Sequence, residues 1–338
     1  MTDPHQRPWT MQQIAQAAGV SVTTVSHTLS GNRPVNPATA ARIRRIIADL
    51  DYVPDTAGKR LALGRSRVLG LAVPDISQWY FARMARGAEM AADELDYSLV
   101  VSSIPADRRL EKRYLNLLRT RMIDGLIYSA SRAVTDGDEL GRVAAQFPVV
   151  LADEALPSVG GVSSVVSDNL SGGRLVGQHL TELGHRRAVV LAGPAGLLST
   201  TERVRGFREF FPNALVLHGE FEQSSGYQLT ADLIANDADF TAIFAGNDYM
   251  AWGAQRRLLE SGVDVPGDVS IVGFDDIDIA TLLQPALTTV RQDTLEMGRR
   301  AAQLVVESVE QRNEGGSIEQ VLPVELMIRQ STGPARAR

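Results

Sequence analysis

The sequence contains no cysteine, which excludes disulfides, thiolate nucleophiles and cysteine-held metal. Histidine is scarce, and His5, His27, His179, His185 and His218 show no H-x-x-x-H pairing, so the spacing of a metal site is missing. Lysine is nearly absent: Lys59 and Lys112 are the only two, and cationic chemistry falls to arginine. No stretch approaches the ~18 to 20 unbroken apolar residues that would cross a bilayer. Met1 to Trp9 is polar, with Asp3 and Arg7 and no apolar run behind it, so neither an export signal nor a membrane anchor is legible and the cytoplasm is the expected compartment. Catalytic strings are missing as well: there is no G-x-S-x-G elbow, Walker A loop, H-E-x-x-H or S-x-x-K. The expectation is a binding protein rather than an enzyme, without metal or cofactor.

What is present is a globular composition. The 338 residues are 44% hydrophobic and 22% charged, a length that suits two or three compact units. The net charge of −6 is unevenly spread. Residues 1–67 hold nine cations against four carboxylates, a net of +5, so the remainder carries −11. A basic head on an acidic body is the footprint of a module that meets phosphate joined to one that does not.

Within the head, Thr10 followed three residues later by Gln13 forms a capping box, and Gly19 supplies a helix stop. Ser21 caps a second helix, so two short helices flank a glycine-containing turn in a helix-turn-helix. In that second helix Val25 and Leu29 share a core face at i, i+4, while Val22, Thr23, Ser26 and His27 fall on faces able to enter a major groove. Asn36 and Pro37 open a third helix whose Ile43, Ile46, Ile47 and Leu50 recur at helical spacing, with Arg42, Arg44 and Arg45 on its other side. Asp55 to Leu63 is long enough for about two helical turns, too few to be stable alone in water.

From Val68 the pattern becomes apolar strands alternating with amphipathic helices, which predicts parallel sheets covered on both faces. Two runs of it, divided near Gly160 to Ser164, predict two lobes: about 67–162 with 292–323, and 163–291 with 324–338. Residues 1–54 then form the head and 55–66 a linker. Open parallel sheets bind ligands beyond the carboxyl ends of their strands. The segments there carry Trp79, Tyr80, Asp168, Asn169, Glu202, Arg203, Asn247, Asp248, Asp275 and Asp276, a mixture that suits a hydroxylated ligand. The plainer alternatives are that Asp248 and Asp275 cap helices and that Arg203 pairs with Glu202 or a sheet-edge carboxylate, and Gly172-Gly173 is a weak phosphate signal.

The run Thr10 to Ser30, with Tyr52-Val53-Pro54 downstream, resembles the DNA-binding head of the lactose-repressor (LacI/GalR) family. The strings Leu183-Gly184-His185-Arg186, Glu202 to Phe207, Val265 to Ser270 and Pro285 to Val290 extend the resemblance over the body. It implies a small all-α helix-turn-helix head on a two-lobed α/β body like periplasmic sugar-binding proteins. It further implies an effector-responsive regulator, mostly a repressor, that binds a palindromic operator in double-stranded DNA as a homodimer and has no membrane partner. By the resemblance Val22, Thr23 and His27 read bases, and Leu61, in a hinge containing Lys59, wedges the minor groove. Thr10, Ser21, Ser26 and Asn32 complete the expected DNA-contacting set. Arg203, Asn247 and Asp275 are the implied effector-binding residues, with Phe221 as an aromatic wall and Trp79 and Tyr80 as added candidates. The sequence departs from the family at His27, where arginine is usual, and at Gly58-Lys59, where Ala-Arg is usual. The expected effector is a sugar or related polyol; a nucleoside, a purine or a partner protein is the alternative. A solute-binding protein would explain the body but not the basic head.

Overall fold

The computed structural model describes residues 9–31, 33–50, 52, 65–104, 108–130, 139–310 and 316–336. The chain divides into two compact units, Met1–Arg65 and Ser66–Arg338.

Among its described residues the first unit holds three helices, α1 (Met11–Ala18), α2 (Val22–Ser30) and α3 (Pro37–Asp49). Their ends form as the sequence predicts. Gln13 N donates to Thr10 Oγ1 and Thr10 N donates to Gln13 Oε1, closing the capping box. Gly19 takes a left-handed φ of 64°, which a side chain would strain. Thr24 N donates to Ser21 Oγ at 3.2 Å, and Asn36 Oδ1 accepts from Ala38 N and Thr39 N. Ile14, Ala15, Ala18, Val25, Ile43 and Tyr52 form the core. One expectation fails. Leu29 is 37% exposed, and Thr28 takes the inward position instead, its hydroxyl donating to the Thr24 carbonyl at 2.9 Å. A buried threonine late in a helix satisfies itself this way, four residues back.

The second unit contains two six-stranded sheets. The first runs in the order β11-β5-β4-β3-β1-β2, built from β1 (Val68–Val73), β2 (Ser98–Ser103), β3 (Gly125–Tyr128), β4 (Val149–Ala152), β5 (Ser163–Ser167) and β11 (Glu319–Leu322). The second runs β12-β10-β9-β8-β6-β7, from β6 (Ala188–Ala192), β7 (Leu215–His218), β8 (Ala242–Ala245), β9 (Ser270–Asp275), β10 (Thr288–Gln292) and β12 (Val324–Met327). All strand pairs are parallel except β10 with β12. Alternate residues feed opposite faces. Leu69, Leu71 and Val73 of β1 pack with Met84 of α4 (Trp79–Glu94) and Met297 and Ala301 of α12 (Thr294–Val309). Ala72 looks the other way, with Leu115 and Leu118 of α5 (Arg108–Arg119) and Leu140 and Val143 of α6 (Glu139–Ala144). Burial on both faces explains why these strands read as continuous apolar runs.

Among the described residues the chain passes between the sheets after β5, after β10 and between β11 and β12. The first passage corrects the expected lobe boundary. Ser163–Ser167 pairs with β4 and belongs to the first lobe, so the crossing lies at Asp168 rather than before Ser163. A strand covered on both faces carries no mark of which sheet it will join, because register and neighbour are set by long-range pairing.

Around the second sheet lie α7 (Asn169–Glu182), α8 (Leu198–Arg208), α9 (Gln223–Ala235), α10 (Asp248–Glu260) and the short α11 (Ile279–Leu282). Gly173 and Gly206 let α7 and α8 touch backbone to backbone: a Cβ on Gly206 would lie 2.1 Å from the Leu170 carbonyl oxygen, and one on Gly173 2.1 Å from that of Arg203. Gly172 faces Phe274. The Gly172-Gly173 pair therefore serves helix and ring packing rather than phosphate binding.

Candidate functional site

Two features of different kind stand out, one in each unit. In the head, α2 presents Val22, 43% exposed, and Thr23, also exposed, with Ser26 and His27 half-buried beside them. Val25 is fully buried beneath, so the helix is anchored on one side and open on the other. Arg42, Arg44 and Arg45 lie exposed on α3. Thr10 and Ser21 are helix caps, with hydroxyls engaged to Gln13 and Thr24. Asn32, Lys59 and Leu61, and almost all of the expected hinge, lie outside the described residues.

In the body, a cavity of about 540 Å³ opens where the strand ends of the two sheets face one another. Most of the wall residues named below lie at or just beyond the end of a strand. Tyr80 comes from the start of α4 after β1, Asp153 and Glu154 directly follow β4, Phe221 follows β7, Asn247 follows β8 and Asp275 ends β9. Arg203 reaches in from α8, held there by the Gly173–Gly206 approach.

Arg203 is buried and its donors are directed. Nε donates to Asn169 Oδ1 at 2.8 Å and Nη1 to the Gly246 carbonyl at 2.7 Å. Its guanidinium carbon lies 3.8 Å from the centre of the Phe274 ring and 5.8 Å from that of Phe221, cation–π contacts that hold the group flat. Glu202, the plain alternative partner, pairs with Arg205 instead.

Three carboxylates stand around this cation. Asp153 Oδ1 accepts from the Tyr80 hydroxyl at 2.5 Å. Asp275 Oδ1 accepts from Gln292 Nε2 at 2.7 Å, on a backbone whose φ of 111° is unusual for a residue with a side chain. Glu154, 2% exposed, reaches across to α8, where Ser199 donates to it through both hydroxyl and backbone N–H. It thereby caps a helix that has no side-chain cap of its own. Burial pushes Asp275 up to about 7, with the Asp153 charge adding and Arg203 opposing. Burial, then the Asp153 charge, likewise raises Glu154 to about 7. Asp153 itself is raised by burial, against the Tyr80 hydrogen bond and Arg203.

The expected effector residues Tyr80, Arg203, Phe221, Asn247 and Asp275 are thus brought together. Asn247 doubles as cap of α10, its Oδ1 accepting from Met250 N at 2.9 Å. Trp79 is a correction. Its side chain is 43% exposed and absent from the cavity wall, because adjacent helical residues point about 100° apart and Tyr80 takes the inward direction. Asp248 is buried away from the cavity, accepting from Thr289 and Ile277 N, and Asp276 turns out to Arg291 and Arg329. Sequence reasoning missed Asp153, Glu154 and Ser199. The signal for the first two was available: a carboxylate pair directly after an apolar strand, the same context that marked Asp275.

Residues 10–55 match the model of bacterial regulatory proteins of the lacI family, and residues 178–332 that of a periplasmic binding protein-like domain. The ribose operon repressor of Escherichia coli K12 is 30% identical over 310 residues, covering 89% of this chain and 93% of that one. Among solved structures, the Lac repressor dimer bound to operator and the anti-inducer ONPF superposes with a TM-score of 0.87 at 28% identity, covering 97% of this chain and all of that one. A LacI family transcriptional regulator from Enterococcus faecium with bound ribose gives 0.71 at 29% identity, covering 80% of this chain and all of that one.

Proposed function

This chain belongs to the lacI family of bacterial regulatory proteins, and from that membership we propose that it is a sugar-responsive repressor acting on a carbohydrate-utilisation operon in the cytoplasm. The effector-responsive repressor is the family's common function. The observation that carries the sugar reading is the cavity, where Arg203, Asn247 and Asp275 offer donors and acceptors beside the Phe221 ring. Hydroxyl groups need both kinds of partner, and a sugar ring needs an apolar face. Val22, Thr23, Ser26 and His27 read the operator in this proposal, with Thr10, Ser21, Asn32, Lys59 and Leu61 fixing the head on the backbone and in the minor groove. A single helix-turn-helix reads only a few base pairs, so a two-fold dimer on a palindrome supplies the specificity.

Control follows from linkage. Ligand and operator favour different arrangements of the two lobes, so each changes the other's affinity by the same factor. The test is binding of the full chain to DNA from its own upstream region at fixed salt, with and without a panel of sugars and nucleosides. Palindrome-specific binding that a sugar shifts supports the proposal; a shift produced by nucleosides alone replaces the sugar with a base-containing effector. Specific binding that no compound alters overturns the small-molecule reading.

A further inference from the structure

We propose that this regulator reads its sugar before phosphorylation: the cavity takes a neutral or amine-bearing polyol and rejects phosphorylated and acidic sugars. The inference rests on the sugar reading of the cavity and adds its charge class. Asp75, Asp153, Glu154, Glu220, Glu222 and Asp275 line the cavity, and among the described residues Arg203 is its one cationic wall residue. That cation is already committed. Two of its donor groups serve Asn169 and Gly246, and its field acts on Asp153, Glu154 and Asp275 together.

A phosphate would ordinarily settle on backbone amides at a helix start. Three such amides around this cavity have partners. Ser199 N donates to Glu154 at 3.2 Å, Met250 N to Asn247 at 2.9 Å and Trp79 N to the Tyr249 hydroxyl at 3.3 Å. A phosphorylated sugar would thus bring a charge of about −2 among six carboxyl groups with one committed cation to receive it, and find three helix-start amides already taken. Like-charge juxtaposition of this kind costs several kcal/mol, on the order of 100-fold or more in affinity. Sugar hydroxyls meet the opposite situation, since carboxylate oxygens accept from them, and an ammonium adds attraction. The ligand sensed therefore stands upstream of a phosphoryl-transfer step, as the substrate of a sugar kinase rather than its product.

The experiment titrates the full chain on its operator with matched sets at one pH and salt: glucose, glucosamine, glucose 6-phosphate and gluconate, with the corresponding galactose and ribose sets. In each responding set the anion should act at least ~100-fold more weakly than its neutral parent, and the amine at least as strongly as the parent. Glu220 and Glu222 are exposed at the rim, so the double substitution Glu220→Gln, Glu222→Gln leaves the fold intact and should narrow the discrimination several-fold, as should raised salt. An anion that matches or exceeds its neutral parent overturns the inference while leaving the sugar reading in place. No response from any set, with operator binding intact, overturns both.

Discussion

Glu154 provides the sharpest test of how the two lobes are joined. Its carboxyl is buried, sits beside Asp153 and is held at about 7 rather than 4.5. Below pH 4.5 the folded and unfolded chains both hold the proton, and the group makes no difference. Between 4.5 and about 7 the unfolded chain ionises while the folded one does not, so stability falls as pH rises through that window. Above 7 the cost is complete, at most about 3 kcal/mol. Glu154→Gln removes the titration and keeps the shape. Ser199 N still has an oxygen to donate to, and the Ser199 hydroxyl, able to accept as well as donate, turns to the new amide. Urea denaturation of both proteins between pH 4.5 and 8.5 should give nearly equal stability at the acid end and a variant more stable by about 1 to 3 kcal/mol at the alkaline end. Asp275 titrates in both proteins, so the difference between the curves reports Glu154 together with its coupling to Asp153. Parallel curves would refute the argument, showing that Glu154 is ionised in the folded state without penalty.

Arg203→Ala should abolish the effector response while operator binding survives, and should cost the body about 2 to 4 kcal/mol by orphaning Asn169 Oδ1 and the Gly246 carbonyl; operator titration with and without effector, plus denaturation, checks both parts. Gly206→Ala drives a Cβ toward the Leu170 carbonyl and should destabilise the body by about 2 to 4 kcal/mol, read as a lowered urea midpoint. Thr10→Ala opens the capping box and should cost the head about 1 kcal/mol, seen as faster amide exchange in α1. His27→Arg exchanges an imidazole for a bidentate fork and should change affinity for the native operator by about 1 to 3 kcal/mol; equal affinity in a gel-shift titration would show that position 27 does not read a base there.

Much of the site was legible because most of its parts lie at or beyond a strand end. Arg203, Asn247 and Asp275 fall in segments placed beyond strand ends, the family resemblance implied their role and that of Phe221, and all four line the cavity. The same rule, applied to Leu151-Ala152-Asp153-Glu154, would have found the missing carboxylates. It was not enough for Trp79 and Tyr80, because a helix start shows its residues in order but not its rotation. Leu29 failed for a related reason: apolar spacing pointed inward, yet Thr28 satisfies its own hydroxyl and takes the buried place.

The sequence by itself determined what depends on neighbours three or four residues apart and on patterns within one element. The capping box at Thr10, the left-handed Gly19, the Asn36-Pro37 helix start, the basic head and the alternation of strands with helices are of this kind, and a contiguous signature identified the family. Tertiary structure alone decided that Ser163–Ser167 joins the first sheet, that Gly173 and Gly206 let two helices meet, and that Glu154 caps a helix 45 residues away. Those choices depend on which distant surfaces close against one another. Loop closure and burial select that pairing over the whole chain, and no local run of residues records it.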